Sequence, residues 1–347
     1  MLNIVSNEYF KSADKISGPI KVFRNLLNGL RRIGYPFIVN GALNSCDKLW
    51  IYNDPKALVN LTNLTSGIKV LLGPGFYLDR CISDNVRKIL SSKSDEVVCL
   101  QPSDWSRQFV LDSGFKLTPV ETWPVGVDTD EFKPRSVEGA DRVVIYFKQR
   151  FSEELEAVER TLREKGIKYE VIVYGHYLED DYKKALRQAR YVIWIGRQES
   201  QGIALEEALA MDIPILVWDV KKVGHWLPPP KDVNIFTAEE NEYAKATAVP
   251  YFDNRCGLKF TEVGDLRGYI EVMEEGYKSF HPREYIEESL SLEKQARDFI
   301  NIFDKYWGMK FEDGLNSQPR TKKKWKNEYI WRAISRIYYL FKRIVPK

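Results

Sequence analysis

The sequence predicts an α/β fold built from two doubly wound, Rossmann-like halves. Three observations predict it. Short β-rich runs alternate with amphipathic helical runs, the pattern of parallel sheets with crossover helices. The alternation pauses at a stretch with two prolines and a glycine, Trp123–Pro134, and then starts again. The length of 347 residues suits two domains of roughly 150 residues each.

The elements follow in order. A strand at Asn3–Ser6 leads to a helix from Pro19 to Ile33, with Phe23, Leu26, Leu27, Leu30 and Ile33 on one face. Gly34 ends it as a C-cap glycine does. Strands follow at Phe37–Val39, Lys48–Tyr52, Lys69–Leu72 and Val97–Leu100, and Pro102–Gly114 reads as a turn and helix with Ser103 or Asp104 as N-cap. After the break, strand Arg142–Phe147 leads to helix Ser152–Lys165, and strand Glu170–Tyr174 to helix Asp180–Ala189. Strand Tyr191–Ile195 runs into a helix opening near Gly202, which Asp212-Ile-Pro214 ends. Strand Ile215–Trp218 precedes a proline-rich excursion over 219–248, and late helices cover 264–276 and 283–304.

Composition narrows the function. With 44% hydrophobic and 13% aromatic residues, the chain can fill two cores. No run of 18 uncharged apolar residues exists, so no helix is expected to span a bilayer. The first residues, Met-Leu-Asn-Ile-Val, read as a strand rather than a signal peptide. Cys46, Cys81, Cys99 and Cys256 have no metal-ligand spacing, which points to a reducing, cytoplasmic compartment. The net charge of +3 hides an asymmetry. Residues 320–347 carry ten Lys or Arg against Glu328, so the rest of the chain is acidic. A helix over Trp325–Val345 would place Ile330, Ile334, Ile337, Tyr338, Phe341 and Ile344 on one side, with Arg332, Arg336 and Arg343 opposite. With Trp325 and Trp331 as interfacial anchors, that pattern predicts a peripheral contact with an anionic membrane surface. A contact with the protein's own body or a partner helix is the alternative. No second basic patch supports nucleic acid.

The most informative stretch is Trp194-Ile-Gly-Arg-Gln-Glu199-Ser-Gln-Gly202-Ile-Ala-Leu-Glu-Glu207-Ala. A strand delivering its carboxyl end into a helix N-terminus makes an anion site, because free N–H groups and the helix dipole converge there. Acids beside such a site suit a ligand that also carries hydroxyls. A sugar-linked diphosphate has both features.

Glu199 and Glu207, with seven residues between them, resemble the E-x7-E signature of retaining GT-B glycosyltransferases of the family-4 type. Pro124-Val-Gly126-Val127-Asp128-Thr129-Asp130-Glu-Phe132-Lys-Pro134 is similar to the segment that joins that family's two domains. The resemblance implies a GT-B fold with an acceptor-side domain over 1–123, a linker over 124–140 and a nucleotide-sugar domain over 141–282. A helix over 283–311 would cross back, and 312–347 would form the tail. It implies transfer of a sugar from a nucleotide-sugar donor to a glycan or lipid-linked acceptor. A nucleotide-sugar epimerase and an inactive GT-B module that binds glycan or membrane stay open as alternatives.

The resemblance also distributes roles. Glu207 would bind the ribose hydroxyls, while Glu206 beside it reads as a solvated helix residue. Glu199 would hold hydroxyls of the transferred sugar. Backbone N–H groups of Ser200, Gln201, Gly202 and Ile203 would face the diphosphate. Lys148 and Arg150 stand where the family's diphosphate cations belong, although two residues apart instead of about five, and Arg197 is a further candidate. Gly175 would border the nucleobase, with Tyr174 or His176 nearby. Gly18 stands at the family's glycine-rich loop. Gly73-Pro74-Gly75 lies at a strand's carboxyl end and should face the cleft from the acceptor side. Histidines occur only at 176, 225 and 281, so no first-domain histidine takes part. No metal or other cofactor is expected, and Asp128-Thr-Asp130 reads as turn chemistry.

Overall fold

The structure, a computed structural model, describes residues 1–10, 17–75, 83–134, 140–229 and 235–315. The amphipathic tail read over 320–347 lies outside them. The first lobe holds a six-stranded sheet. Its strands are β1 (Leu2–Ser6), β2 (Phe37–Val39), β3 (Lys48–Tyr52), β4 (Lys69–Leu72), β5 (Val97–Gln101) and β6 (Val120–Thr122), in the order β2-β1-β3-β4-β5-β6. Every pairing is parallel. The second lobe holds β7 (Arg142–Lys148), β8 (Tyr169–Val173), β9 (Ala189–Gly196), β10 (Ile215–Trp218) and β11 (Gly257–Phe260), in the order β11-β10-β9-β7-β8, also all parallel.

Near-continuous apolar strands build this architecture. β1, β3, β5 and β10 are buried at every position. Strands buried on both faces need helices on both faces, which parallel crossovers supply. Two apolar clusters therefore sandwich each sheet, around Trp50 and Val70 in the first lobe and around Trp194 and Ile193 in the second.

Two features depart from the expected elements. β6 and β11 are short strands of three and four residues, with Glu121 and Lys259 inside them, so no apolar run marked them. The expected single helix over 283–304 is two helices, Pro282–Ser289 and Leu292–Trp307. The joining segment breaks the helix between them. Val127 N donates to Leu290 O at 2.8 Å, and Val127 bridges Ser291 in parallel. The approach is so close that a Cβ on Gly126 would meet Ser291 O and Leu292 Cα at 2.7 Å. This explains the glycine in Pro-Val-Gly-Val-Asp. The second helix then packs on the helix Gly18–Arg32 (α1) of the first lobe, and Trp123 Nε1 donates to Gln295 O at 3.0 Å.

Candidate functional site

The site forms where the carboxyl ends of β7 and β9 meet the helix Ile203–Ala210. Register sets it up. Lys148, the last residue of β7, pairs with Gly196, the last of β9, so the turn after β9 must pass beside Lys148. There Lys148 Nζ meets Glu199 Oε1 at 2.5 Å. Both side chains are about nine-tenths buried. Burial pushes the Lys148 ammonium pKa down; Glu199 opposes this, and the nearby Arg197 guanidinium reinforces it. Tyr174 closes the outer side, with Lys148 Nζ 4.3 Å from its ring centroid.

The Glu199 turn is fixed from several directions. Glu199 N donates to Thr247 O at 3.0 Å. The 247–248 segment is itself held by buried Asp219, which accepts from Thr247 Oγ1 and Ala248 N, each at 2.6 Å. From the first lobe, Trp105 Nε1 donates to Glu199 O at 2.8 Å. Arg197 lies over Trp226, 5.1 Å from the ring centroid, and its buried Nε has no hydrogen-bond partner among the described residues. The adjacent Gln198 is 1% exposed, with both amide atoms unpartnered among the described residues. Nothing in the sequence marked Gln198.

Gly202 caps the helix at φ +95°, a left-handed conformation that a side chain disfavours. Among the described residues, the N–H groups of Ser200, Gln201, Gly202 and Ile203 donate to no protein acceptor. They leave the anion cradle that the strand–turn–helix order requires.

Glu207 lies one helical turn further on and is 2% exposed. Lys21, in the first turn of α1, reaches across from the other lobe and meets both carboxylate oxygens, at 2.5 and 2.7 Å. Burial raises the Glu207 pKa, Lys21 opposes it, and the result is about 7. Lys21 was not recognisable as a site residue, because nothing local distinguishes a lysine on the polar side of an amphipathic helix.

Other expected residues do different work. Arg150 is fully buried and its nitrogens are spent inside the protein. Nε donates to Glu154 Oε2 at 2.9 Å, and one terminal nitrogen donates to Gly196 O and Trp218 O at 2.9 and 3.0 Å. The other donates to Glu154 Oε1. Arg150 thus ties β9 to β10, and each of its nitrogens already meets a protein acceptor. Burial works to raise the Glu154 pKa, but His225 and Arg150 hold it down at about 2. Glu206 is not solvated but completely buried. Burial pushes its pKa well above the usual carboxylate range. The helix buries every residue from Leu205 to Ala210, so no face was left for a solvated acid.

The Gln201 side chain faces away from a ligand role. Its Oε1 accepts from Val125 N at 3.0 Å, and its Nε2 donates to Val125 O at 2.8 Å and to Glu206 Oε2 at 2.9 Å. It fastens the interlobe segment to the helix. Gly175 sits in an exposed left-handed turn at φ +83° with nothing within 4 Å of its Cβ position. Gly18 is the first residue of α1, exposed, three positions before Lys21. The Gly73-Pro74-Gly75 loop leaves β4 and is held from below by Trp50 Nε1, which donates to Gly73 O at 2.5 Å, and by Gln101 Nε2, which donates to Gly75 O. Asp128 Oδ1 accepts from Asp130 N and Glu131 N at 3.1 and 3.2 Å, the geometry of a turn. Among the described residues no three His, Cys, Asp or Glu converge as a ligand set for a metal.

No protein-family model and no curated protein sequence matches the chain. Solved structures do. The lipopolysaccharide outer core galactosyltransferase WaaB, in its apo form, superposes with a TM-score of 0.53 at 12% identity, covering 88% of this chain and 99% of that one. Sucrose-phosphate synthase from Thermosynechococcus elongatus superposes with a TM-score of 0.51 at 11% identity, covering 89% and 99%. TarM gives a TM-score of 0.48 at 13% identity over 82% of this chain, which spans 58% of the TarM chain. The architecture and the superpositions on WaaB and sucrose-phosphate synthase define an α/β GT-B fold.

Proposed function

We propose that this protein is a retaining, metal-independent glycosyltransferase that moves a sugar from a nucleotide-sugar donor to a glycan or lipid-linked acceptor. The observation that carries the reading is the pairing of two buried acids with two lysines at one strand–turn–helix junction: Glu199 with Lys148 and Glu207 with Lys21. Acids suit hydroxyls and cations suit phosphate oxygens. Glu207 takes the ribose diol and Glu199 the transferred sugar. Lys148, Arg197 and the N–H groups of 200–203 take the diphosphate. WaaB is a galactosyltransferase, and transfer is the chemistry proposed here for the same fold.

In the proposed step the bond from the sugar's anomeric carbon to the phosphate oxygen breaks, and a bond from that carbon to the acceptor hydroxyl oxygen forms on the same face. The acceptor proton passes to the departing phosphate oxygen. Lys148 and Arg197 stabilise the charge that develops on that oxygen. The first lobe then needs to supply no histidine.

The test is a thermal-shift panel of nucleoside diphosphates and nucleotide-sugars, followed by nucleotide release on mixing donor, candidate acceptor and enzyme. A preferred ligand raises the melting temperature by mass action. A folded protein indifferent to the whole panel would overturn the reading. Among the described residues no helix is long and apolar enough to cross a membrane. The basic residues of 320–347 support a peripheral, cytoplasmic-face attachment. Deleting them should move the protein from membrane to soluble fractions, and an unchanged distribution would rule the attachment out.

A further inference from the structure

Glu207 is occupied. Its two oxygens hold Lys21 at 2.5 and 2.7 Å, inside a pocket that leaves Glu207 2% exposed. The ammonium takes one lone-pair site on each oxygen, and the burial of Glu207 leaves its remaining sites no open approach for a vicinal diol. Any diol that reaches Glu207 must first displace the lysine.

The structure also shows where the lysine goes. Glu179, the first residue of the helix Glu179–Leu186, places Oε2 3.8 Å from Lys21 Nζ. That oxygen is buried and has no hydrogen-bond partner among the described residues. The other oxygen of Glu179 serves Lys183 at 3.1 Å, and Lys183 also meets Glu131 at 2.5 Å. One lysine therefore stands between a filled acceptor and an empty one. Closing the second contact to about 2.8 Å takes a movement of roughly 1 Å. A buried acceptor left unmade is costly, so the shift gains a bond as it gives one up.

We propose that Lys21 is a two-position positioning residue: it fills the diol-binding carboxylate of the empty site and passes to Glu179 Oε2 when the ribose of a nucleotide engages Glu207. The inference rests on the glycosyltransferase reading above and adds a gate to it. It also adds discrimination. A ribose offers Glu207 two hydroxyls in exchange for the lysine, while a 2′-deoxyribose offers one. The empty site stays neutralised and closed across the two lobes, and only a cis-diol opens it.

Titration calorimetry tests this on the full chain and on the variants Lys21→Met and Glu179→Gln, with UDP, GDP and ADP and their 2′-deoxy counterparts as probes. Thermal melts confirm that each variant folds. Removing the internal occupant lifts the penalty on the competent state, so Lys21→Met should bind the preferred ribonucleotide roughly tenfold tighter. Its gain for the 2′-deoxy nucleotide should be smaller. Glu179→Gln should bind the ribonucleotide several-fold more weakly, because the displaced lysine loses its charged destination. Unchanged or weaker binding by Lys21→Met would overturn the gate while leaving the glycosyltransferase reading intact. No binding by wild type or by Lys21→Met would overturn both. Binding by Lys21→Met alone would support the gate in its strongest form.

Discussion

Lys148 Nζ and Glu199 Oε1 stand 2.5 Å apart, both buried, at the carboxyl ends of neighbouring strands. Removing one member of a buried pair strands the other charge at a cost of about 3–5 kcal/mol. Lys148→Met should therefore destabilise the protein by that order, because Glu199 is left without its cation. The double variant Lys148→Met/Glu199→Gln should recover much of the loss, since no charge is then stranded. Urea denaturation of the four proteins measures the coupling. Additive effects would mean that the pair is incidental. Transfer activity, where the donor is known, should fall by about 10²–10³-fold in Lys148→Met, the usual loss when one stabilising donor is removed.

The fold was legible because its information is local. Apolar runs such as Val-Val-Ile-Tyr-Phe at 143–147 and Val-Ile-Trp-Ile at 192–195 define buried strands without tertiary context. The segment around Gly126 was legible as a junction, but not as the wedge that splits the helices at Leu290 and Ser291, because that contact is long-range. In the site, the strand–turn–helix order placed Glu199, Gly202 and Lys148 together. It could not show that the Arg150 guanidinium meets strand-end carbonyls, since spacing does not record such long-range contacts. Lys21 and Glu179 were hidden because they come from different lobes and meet only at Glu207.

Arg150 gives a prediction that separates architecture from chemistry. It holds Glu154 and two strand-end carbonyls with no exposed surface. Arg150→Ala should cost about 3–5 kcal/mol, because Glu154 and those carbonyls are orphaned together. The folded fraction should keep its nucleotide affinity, read by calorimetry well below the melting temperature. A variant of near-normal stability that no longer bound nucleotide would return Arg150 to the ligand.

Glu206 and Glu207 are adjacent in sequence and should respond in opposite ways. Glu206 is completely buried and its Oε2 accepts from Gln201, so Glu206→Gln keeps the shape and leaves an amide oxygen to accept the same bond. Its effect on stability at pH 7 should be within about 0.5 kcal/mol, and nucleotide affinity should not change. Glu207→Gln should weaken ribonucleotide binding by about 1.5–3 kcal/mol, the worth of hydrogen bonds to a charged acceptor. Parallel binding losses in the two variants would show that the helix, and not the Glu207 carboxylate, was perturbed.

The Glu207 carboxyl should also leave a signature in stability against pH. An unfolded glutamate titrates near 4.5, whereas burial, partly offset by Lys21, holds the folded group at about 7. Below pH 4.5 both states carry the proton and the group contributes nothing. Between 4.5 and 7 the native state keeps a proton that the unfolded state has released, so stability falls as pH rises. Above 7 the full penalty applies, about 3 kcal/mol at 1.36 kcal/mol per pH unit. Glu207→Gln lacks this term, while every other titrating group is common to both proteins and cancels in the difference. The unfolding free energy of the variant relative to wild type should therefore climb between pH 4.5 and 7 and level off by pH 8, as urea midpoints will show. A difference that stays flat would mean Glu207 is ionised throughout. Lys21 would then outweigh burial, and the empty site would hold a full ion pair that a ribose must break without help from a proton.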